Sequence, residues 1–257
     1  MIDIEKLKEE FDKYTSNYNP EQPRIALKIN HIKRVAENCK ELATKLNLPE
    51  EEILLAEAIG YFHDIGRFEQ VRIADTFSDR DSKINHAEKS VSVLFDDGKI
   101  REFIPSDEYD EIIKKAVLNH NRLKIQDNLT EKELLFAKII RDADKLDIFY
   151  TITIDKFPAI FWYKDFDDEK ISDELMNDFK NKKALNYQKI HNNADMIIIF
   201  YAYIFDIYFK NTLSTLKEKK YLDIYTQRVL EHFSSPIIHS QISKIQDFYK
   251  DYLELLT

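Results

Sequence analysis

The sequence predicts an all-α fold, and three observations carry that reading. Apolar residues recur at helical spacing through most of the 257-residue chain, there are only 3 glycines, and there are only 6 prolines. Turn-rich β folds and glycine-rich phosphate loops need more of both. Neither GxGxxG nor GxxxxGK[ST] occurs, which removes the dinucleotide-binding and P-loop readings. Hydrophobic residues make up 44% and charged residues 33%, a globular rather than a disordered balance. A chain of this size buries roughly 70% or more of its unfolded surface, enough for a real core.

The elements follow in order. The N-terminal stretch MIDIEKLKEEFDKY is charged and amphipathic, without the apolar run of a signal peptide. Ile25, Ile29, Ile32, Ala36, Cys39, Ala43 and Leu46 alternate steps of four and three, which is one face of a helix ended by Asn47–Pro49. Glu50 to Ile65 is apolar on most sides and reads as a central helix, with Gly66 where a C-cap belongs. Residues 68–84 read as a polar loop crowded with Asp75, Ser78, Asp79, Asp81 and Ser82. Helices are expected to resume near 85–97, 107–120 and 130–150. Pro158 and the aromatic stretch Phe157–Tyr163 come next, then helices near 171–185, 194–217, 219–233 and 238–255.

No repeat, low-complexity tract or flexible linker divides the chain. The expected organisation is a core over 1–150 and a C-terminal helical layer over 151–257 packed on it, with a soft boundary inside one structural unit. The most apolar run, Met196 to Phe205, is ten residues long. A membrane span needs about 20, so this run reads as a buried or interface helix. The net charge of −9 is the wrong sign for a general nucleic-acid clamp or for binding an anionic membrane. The single Cys39 rules out an internal disulfide and a four-cysteine zinc site. With no export or anchoring signal, the expected location is the cytoplasm.

Seven histidines occur, and four in the first half lie on or at the ends of expected helices: His31, His63, His86 and His120. His63 is followed by Asp64, but chance alone supplies about 0.7 His–Asp dipeptides in such a chain, so the pair by itself says little. Placement says more. His31 flanks an apolar stripe, His63–Asp64 ends the most buried helix, and His120 lies on an apolar face. Asp144 shares a row with Ala137, Ile140 and Ile148, and a carboxylate on an apolar face calls for a partner or a metal. Asp142 shares a row with Lys138 and Lys145 and reads as a solvated charge. Imidazoles and carboxylates from several helices, all on inward faces, are what a metal site in a helix-bundle core requires. His191, His232 and His239 have no such grouping and read as structural.

The set His31, His63–Asp64 and Asp144, within "HIKRVAE", "AIGYFHDIGRF" and "KIIRDADKLD", resembles the HD-domain superfamily of metal-dependent phosphohydrolases over about residues 20–150. The resemblance implies an HD-domain-like helical bundle with a C-terminal helical extension. It also implies a first metal held by His31, His63, Asp64 and Asp144. His86 and His120 are similar to the extra ligands of two-metal members, with Asp64 shared between the ions. Two divalent ions per chain follow, drawn from Mn, Fe, Co, Ni, Zn or Mg. In such a site a water between the ions loses a proton and attacks phosphorus, and a small phosphate ester, a nucleotide among the choices, is the implied substrate. Asp64, Arg67 and Lys145 are the catalytic candidates. Arg67 could grip phosphate bidentately or pair with Glu69 or an aspartate of the following loop. Lys145 could touch substrate or pair with Asp142, and Lys28, one turn before His31, is a third cationic candidate. The guanosine-tetraphosphate hydrolases of the family carry an acidic pair where Arg67 and Phe68 stand here, which speaks against that substrate. Two alternatives stay open: a mixed-valence di-iron oxygenase built on the same ligands, and a non-catalytic binding module stabilised by metal. The C-terminal helices, rich in Tyr, Phe and Ile, could form a lid or the face of a homo-oligomer.

Overall fold

The structure is a computed structural model and describes residues 2–157, 170–183, 185 and 187–257. Among the described residues it is helical, with no strand. The chain divides into two compact units, Met1–Asp147 and Ile148–Thr257.

In the first unit, α1 (Ile4–Thr15) starts at Asp3, whose side chain accepts from Lys6 N at 3.1 Å. Helix α2 (Pro23–Lys45) has proline in its first turn, where the missing N–H costs nothing. Helix α3 (Glu50–Phe62) follows Pro49 and opens with three glutamates, favourable against the positive end of a helix dipole. The two helices cross very closely at Gly60: a Cβ there would lie 2.4 Å from the Cα of Ala36. Ile32, Val35, Ala36, Cys39, Leu55, Ala56 and Ile59 are buried in this part of the core.

Three expectations fail next. Helix α3 stops at Phe62 instead of running to Ile65, and the chain re-enters helix at once as α4 (Gly66–Ala74). Gly66 is therefore the first residue of a helix, not a C-cap. It serves close packing, since an added Cβ would sit 2.4 Å from Ser90 N, and its own N–H donates to Ser90 Oγ at 2.9 Å. The expected loop over 68–84 is largely helical, comprising the rest of α4 and the short α5 (Asp79–Ser82). Its polar composition concealed an inward face made of Phe68, Gln70 and Val71.

Helix α6 (His86–Val91) is capped by Asn85, whose side chain accepts from Ala87 N and Glu88 N, and continues as a π turn over Ser92–Asp96. Helices α7 (Ile100–Phe103), α8 (Asp110–Asn119) and α9 (Glu131–Ile154) follow. Thr130 and Glu133 form a reciprocal capping box at the start of α9: Glu133 N donates to Thr130 Oγ1 at 3.3 Å, and Thr130 N donates to Glu133 Oε2 at 2.7 Å.

The second unit contains α10 (Asp173–Lys180), α11 (Asn193–Ala202), α12 (Lys210–Lys219), α13 (Tyr221–His232) and α14 (Pro236–Leu256). Every residue of α11 is buried, as the apolar run predicts. The helix expected over 194–217 is broken instead, with a 3-10 turn over Tyr203–Asp206 before α12 begins. Among the described residues no helix is long and apolar enough to cross a membrane. The stretch Pro158–Tyr163 lies outside the described residues.

Candidate metal centre

Helix ends build the site. His63 is the C-cap residue of α3 and His120 that of α8. Each turns its ring back on its own helix. His63 Nδ1 lies 2.7 Å from Gly60 O, and His120 Nδ1 lies 2.7 Å from Val117 O. Those carbonyls belong to the last turn, where helices leave acceptors unfilled. His86 is the first residue of α6, with Nδ1 2.6 Å from Asp79 Oδ2. His31 lies within α2, with Nδ1 2.7 Å from Asp147 Oδ2 on α9. All four Nδ1 atoms thus face an oxygen acceptor, which assigns the ring proton to Nδ1 and leaves Nε2 as the metal-binding atom.

The Nε2 atoms converge on Asp64 in two groups. His31 Nε2 and His63 Nε2 are 3.3 Å apart and lie 3.5 and 3.4 Å from Asp64 Oδ2. Asp144 Oδ1 lies 3.3 Å from His31 Nε2 and 3.9 Å from His63 Nε2. On the other side, His86 Nε2 and His120 Nε2 are 3.0 Å apart and lie 3.6 and 3.5 Å from Asp64 Oδ1. Ligand atoms about 2.1 Å from one ion stand about 3.0 Å apart in an octahedral shell and about 3.4 Å in a tetrahedral one. Both groups have that spacing. His31, His63 and Asp64 could hold one ion, and Asp64, His86 and His120 another. The chemistry of the second group points the same way. Asp64 Oδ1 is buried without a hydrogen-bond partner, and it faces two imidazole nitrogens whose ring protons lie elsewhere. Arg67 Nε approaches it only to 3.5 Å, and a buried carboxylate oxygen with no hydrogen bond is costly unless a cation meets it closely. The residues present therefore fit a pair of divalent ions.

The two groups differ in charge. Burial and Lys28 both work against a charged His31, yet its bonds to Asp144, Asp147 and Asp64 raise its pKa to about 10. Burial lowers His63. Burial and then the Arg67 charge bring His86 down to about 4 despite its bond to Asp79. Burial disfavours the Asp64 carboxylate too, but Lys28, His63 and Arg67 hold it well below the usual range. Asp144 is likewise held down, burial being outweighed by its bond to His31.

A second layer braces the ligands. Asp147 is fixed by Arg34, with Nε 2.5 Å from Oδ1 and Nη2 3.0 Å from Oδ2. Asp79 accepts from Arg67 Nη1 at 3.0 Å and from Gln70 Nε2 at 2.9 Å. Arg67 also donates to Gln70 Oε1 and Phe77 O and lies 3.5 Å, at Nε, from Asp64 Oδ1. Its side chain is only 14% exposed, so it belongs to the wall of the site, paired with the loop aspartate rather than with Glu69. Lys28 Nζ donates to Asp64 Oδ2 at 2.6 Å. Lys145 is buried on α9 beside Asp144.

All six expected ligands come together, while Asp142 overturns its reading as a solvated charge. It is 0% exposed, and Lys145 in the same row is 5% exposed. Helix α9 is enclosed on nearly every side from Arg141 to Asp147, so the Lys138–Asp142–Lys145 row is not a solvent face. Sequence reasoning missed Asp147, Asp79 and Arg34. Asp147 lies three residues past Asp144, on the same side of α9, and that spacing is the signal that could have found it.

Among the described residues the chain is all helical, and it brings four imidazoles and two carboxylates into two groups that could each hold a metal ion. Residues 29–148 match the family model of the HD domain, so the chain carries an HD domain there, a family whose members generally bind divalent metals and hydrolyse phosphate esters. No curated protein and no solved structure gives a significant match to the chain.

Proposed function

We propose that the protein is a metal-dependent phosphohydrolase acting on a small phosphate ester, with nucleotides among the candidate substrates. The observation that supports it best is the division of Asp64, one oxygen toward His31 and His63 and the other toward His86 and His120. A carboxylate, with one oxygen toward each group, is suited to serve two ions roughly 3.5–4 Å apart. Two divalent ions, when bound, supply activation of a water and neutralisation of charge on phosphate oxygens. The chain does the rest. Its Nδ1 bonds fix the orientation of the four imidazoles with Nε2 inward, so the rings need not turn on loading. Asp147 and Asp79 keep the His31 and His86 rings aimed. Arg67, clamped by Asp79, Gln70 and Phe77 O, carries a fixed positive charge beside Asp64. Lys145 adds a cation to α9 next to Asp144.

Chelator-treated protein reloaded in turn with Mn, Fe, Co, Ni, Zn and Mg, then assayed on a panel of phosphate monoesters and nucleotides, tests this. Elemental analysis is expected to give about two ions per chain, with phosphate release that chelation abolishes. Oxygen consumption by the iron-loaded protein without phosphate release makes it an oxygenase. Bound metal with neither activity makes it a binding module.

A further inference from the structure

Lys28 stands on the same carboxylate oxygen that the first pocket needs. Its Nζ donates to Asp64 Oδ2 at 2.6 Å, and that oxygen also faces His31 Nε2 and His63 Nε2. The side chain is 11% exposed and rests on the face of Phe77, with Nζ 5.3 Å from the ring centroid. Arg67 occupies the mirror position: its Nε is 3.5 Å from Asp64 Oδ1, and its Cζ is 5.7 Å from the same Phe77 ring. The two cations thus bracket Asp64, one per oxygen, and both lie against the Phe77 ring.

They are not held alike. Arg67 is pinned through Nη1 by three acceptors, Gln70 Oε1, Phe77 O and Asp79 Oδ1. Among the described residues, Lys28 is held by Asp64 Oδ2 and the Phe77 face alone. A lysine is a compact charge on a flexible four-carbon stem, so it can swing where a clamped guanidinium cannot.

We propose that Lys28 is a stand-in cation for the first pocket: it neutralises Asp64 Oδ2 while that pocket holds no metal, and on metal loading it moves off the carboxylate to bind a phosphate oxygen beside Arg67. The argument is electrostatic. An ammonium and a divalent ion on one carboxylate oxygen repel each other, and the one on a flexible stem gives way. Its charge then lies at the rim, beside the fixed Arg67, where an anion is the natural counter-charge. The ligand class is a phosphate anion, and the phosphate part of this inference rests on the phosphohydrolase reading.

The consequence has an unusual sign. Lys28→Met should tighten metal binding by the first pocket, because a competing cation is gone, and at the same time weaken phosphate binding by the loaded protein. A lysine that merely supported the fold would weaken both. The probes are Mn(II), titrated into chelator-treated protein against a fluorescent chelator, and inorganic phosphate, titrated calorimetrically into the Mn-loaded protein. Neither readout needs turnover. Phosphate affinity is expected to fall about 10-fold or more, the usual scale for losing a charge-assisted hydrogen bond, while Mn(II) affinity rises. Lys28→Arg, which keeps the charge, should retain phosphate binding, and the unfolding midpoints of both variants check that the fold persists. Unchanged or weaker Mn(II) binding in Lys28→Met overturns the proposal, as does unchanged phosphate binding. If both shifts occur but no ester is hydrolysed, the phosphohydrolase reading fails while the stand-in role holds. If esters are hydrolysed but Lys28→Met loses metal, the stand-in role fails alone.

Discussion

The two pockets on either side of Asp64 use the same parts and arrive at opposite electrical states. Each has two imidazole Nε2 atoms and one oxygen of Asp64, at similar spacing. The first adds Asp144, and with Asp147 behind His31 it surrounds that ring with carboxylates, so His31 holds its proton up to about 10. The second faces Arg67 instead, and burial together with that charge keeps His86 neutral down to about pH 4. In the metal-free chain the first pocket is filled by charge of the protein's own, a proton on His31 and the ammonium of Lys28. The second leaves Asp64 Oδ1 without a hydrogen bond, with Arg67 Nε 3.5 Å away. The lesson is that the imidazoles and the shared carboxylate do not alone set a pocket's charge: Asp144 and Asp147 on one side and Arg67 on the other do.

The largest expected effect removes the contrast altogether. Asp64→Asn keeps the shape but loses the charge shared by both pockets. Bound metal should drop from about two ions to none, and turnover should disappear, as measured by elemental analysis and phosphate release. One ion retained at full occupancy would mean that the pockets do not share Asp64. Next come changes confined to one side. Asp144→Asn should deplete only the first pocket, and His86→Ala or His120→Ala only the second, each leaving about one ion per chain with activity falling steeply. One ion per chain and full rate in the parent and in both histidine variants alike would make the centre mononuclear.

A smaller effect tests the braces. Asp147→Asn and Asp79→Asn keep every ligand but loosen the aim of His31 and His86 respectively. Each should cost about 10–100-fold in metal affinity at its own pocket, with the other unaffected, as read by titration against a competing chelator. Equal losses at both pockets from either variant would show that the braces act through the shared carboxylate.

These braces also mark where the sequence stopped being legible. Much of the candidate site was readable: helical spacing put His31, His120 and Asp144 on inward faces and His63–Asp64 at a helix end, while the grouping of His86 with them rested on the family resemblance. Helical spacing also made the main helices of the first unit readable, from the four-and-three rhythm of α2 to the long apolar stretch of α3. Asp79 was not: it sits in a stretch so polar that α4 and α5 were read as loop, and its partner His86 is seven residues away across a turn. Asp142 failed for the opposite reason. A row of Lys, Asp and Lys looks solvated only if the helix has a solvent side there, and α9 has almost none between Arg141 and Asp147. Gly66 shows a third limit. Its need for close approach comes from Ser90, which no local pattern connects to it.

The smallest expected effect is a pH dependence that should separate the pockets by slope. A cation entering the first pocket must displace the proton that His31 holds to about 10. Its apparent affinity should therefore rise about tenfold per pH unit between pH 7 and 9, one proton being released per ion. His86, already neutral in that range, asks for no such exchange, so affinity at the second pocket should change much less. Stability of the metal-free chain carries the same asymmetry. A folded-state pKa raised above the ordinary histidine value of about 6.5 gives stability that is complete below that value and is lost as pH rises through about 10. A lowered one works in reverse: as pH falls from about 6.5 toward 4, the unfolded chain takes up a proton that folded His86 refuses, and stability falls. Chelator-treated protein should thus lose stability toward both ends of the range, with His31→Asn flattening only the alkaline limb and His86→Asn only the acid limb. Mn(II) titrations in a buffer series, run beside denaturation midpoints, measure both. Parallel slopes for the two pockets would mean that they share one electrostatic environment, and the contrast between them would collapse.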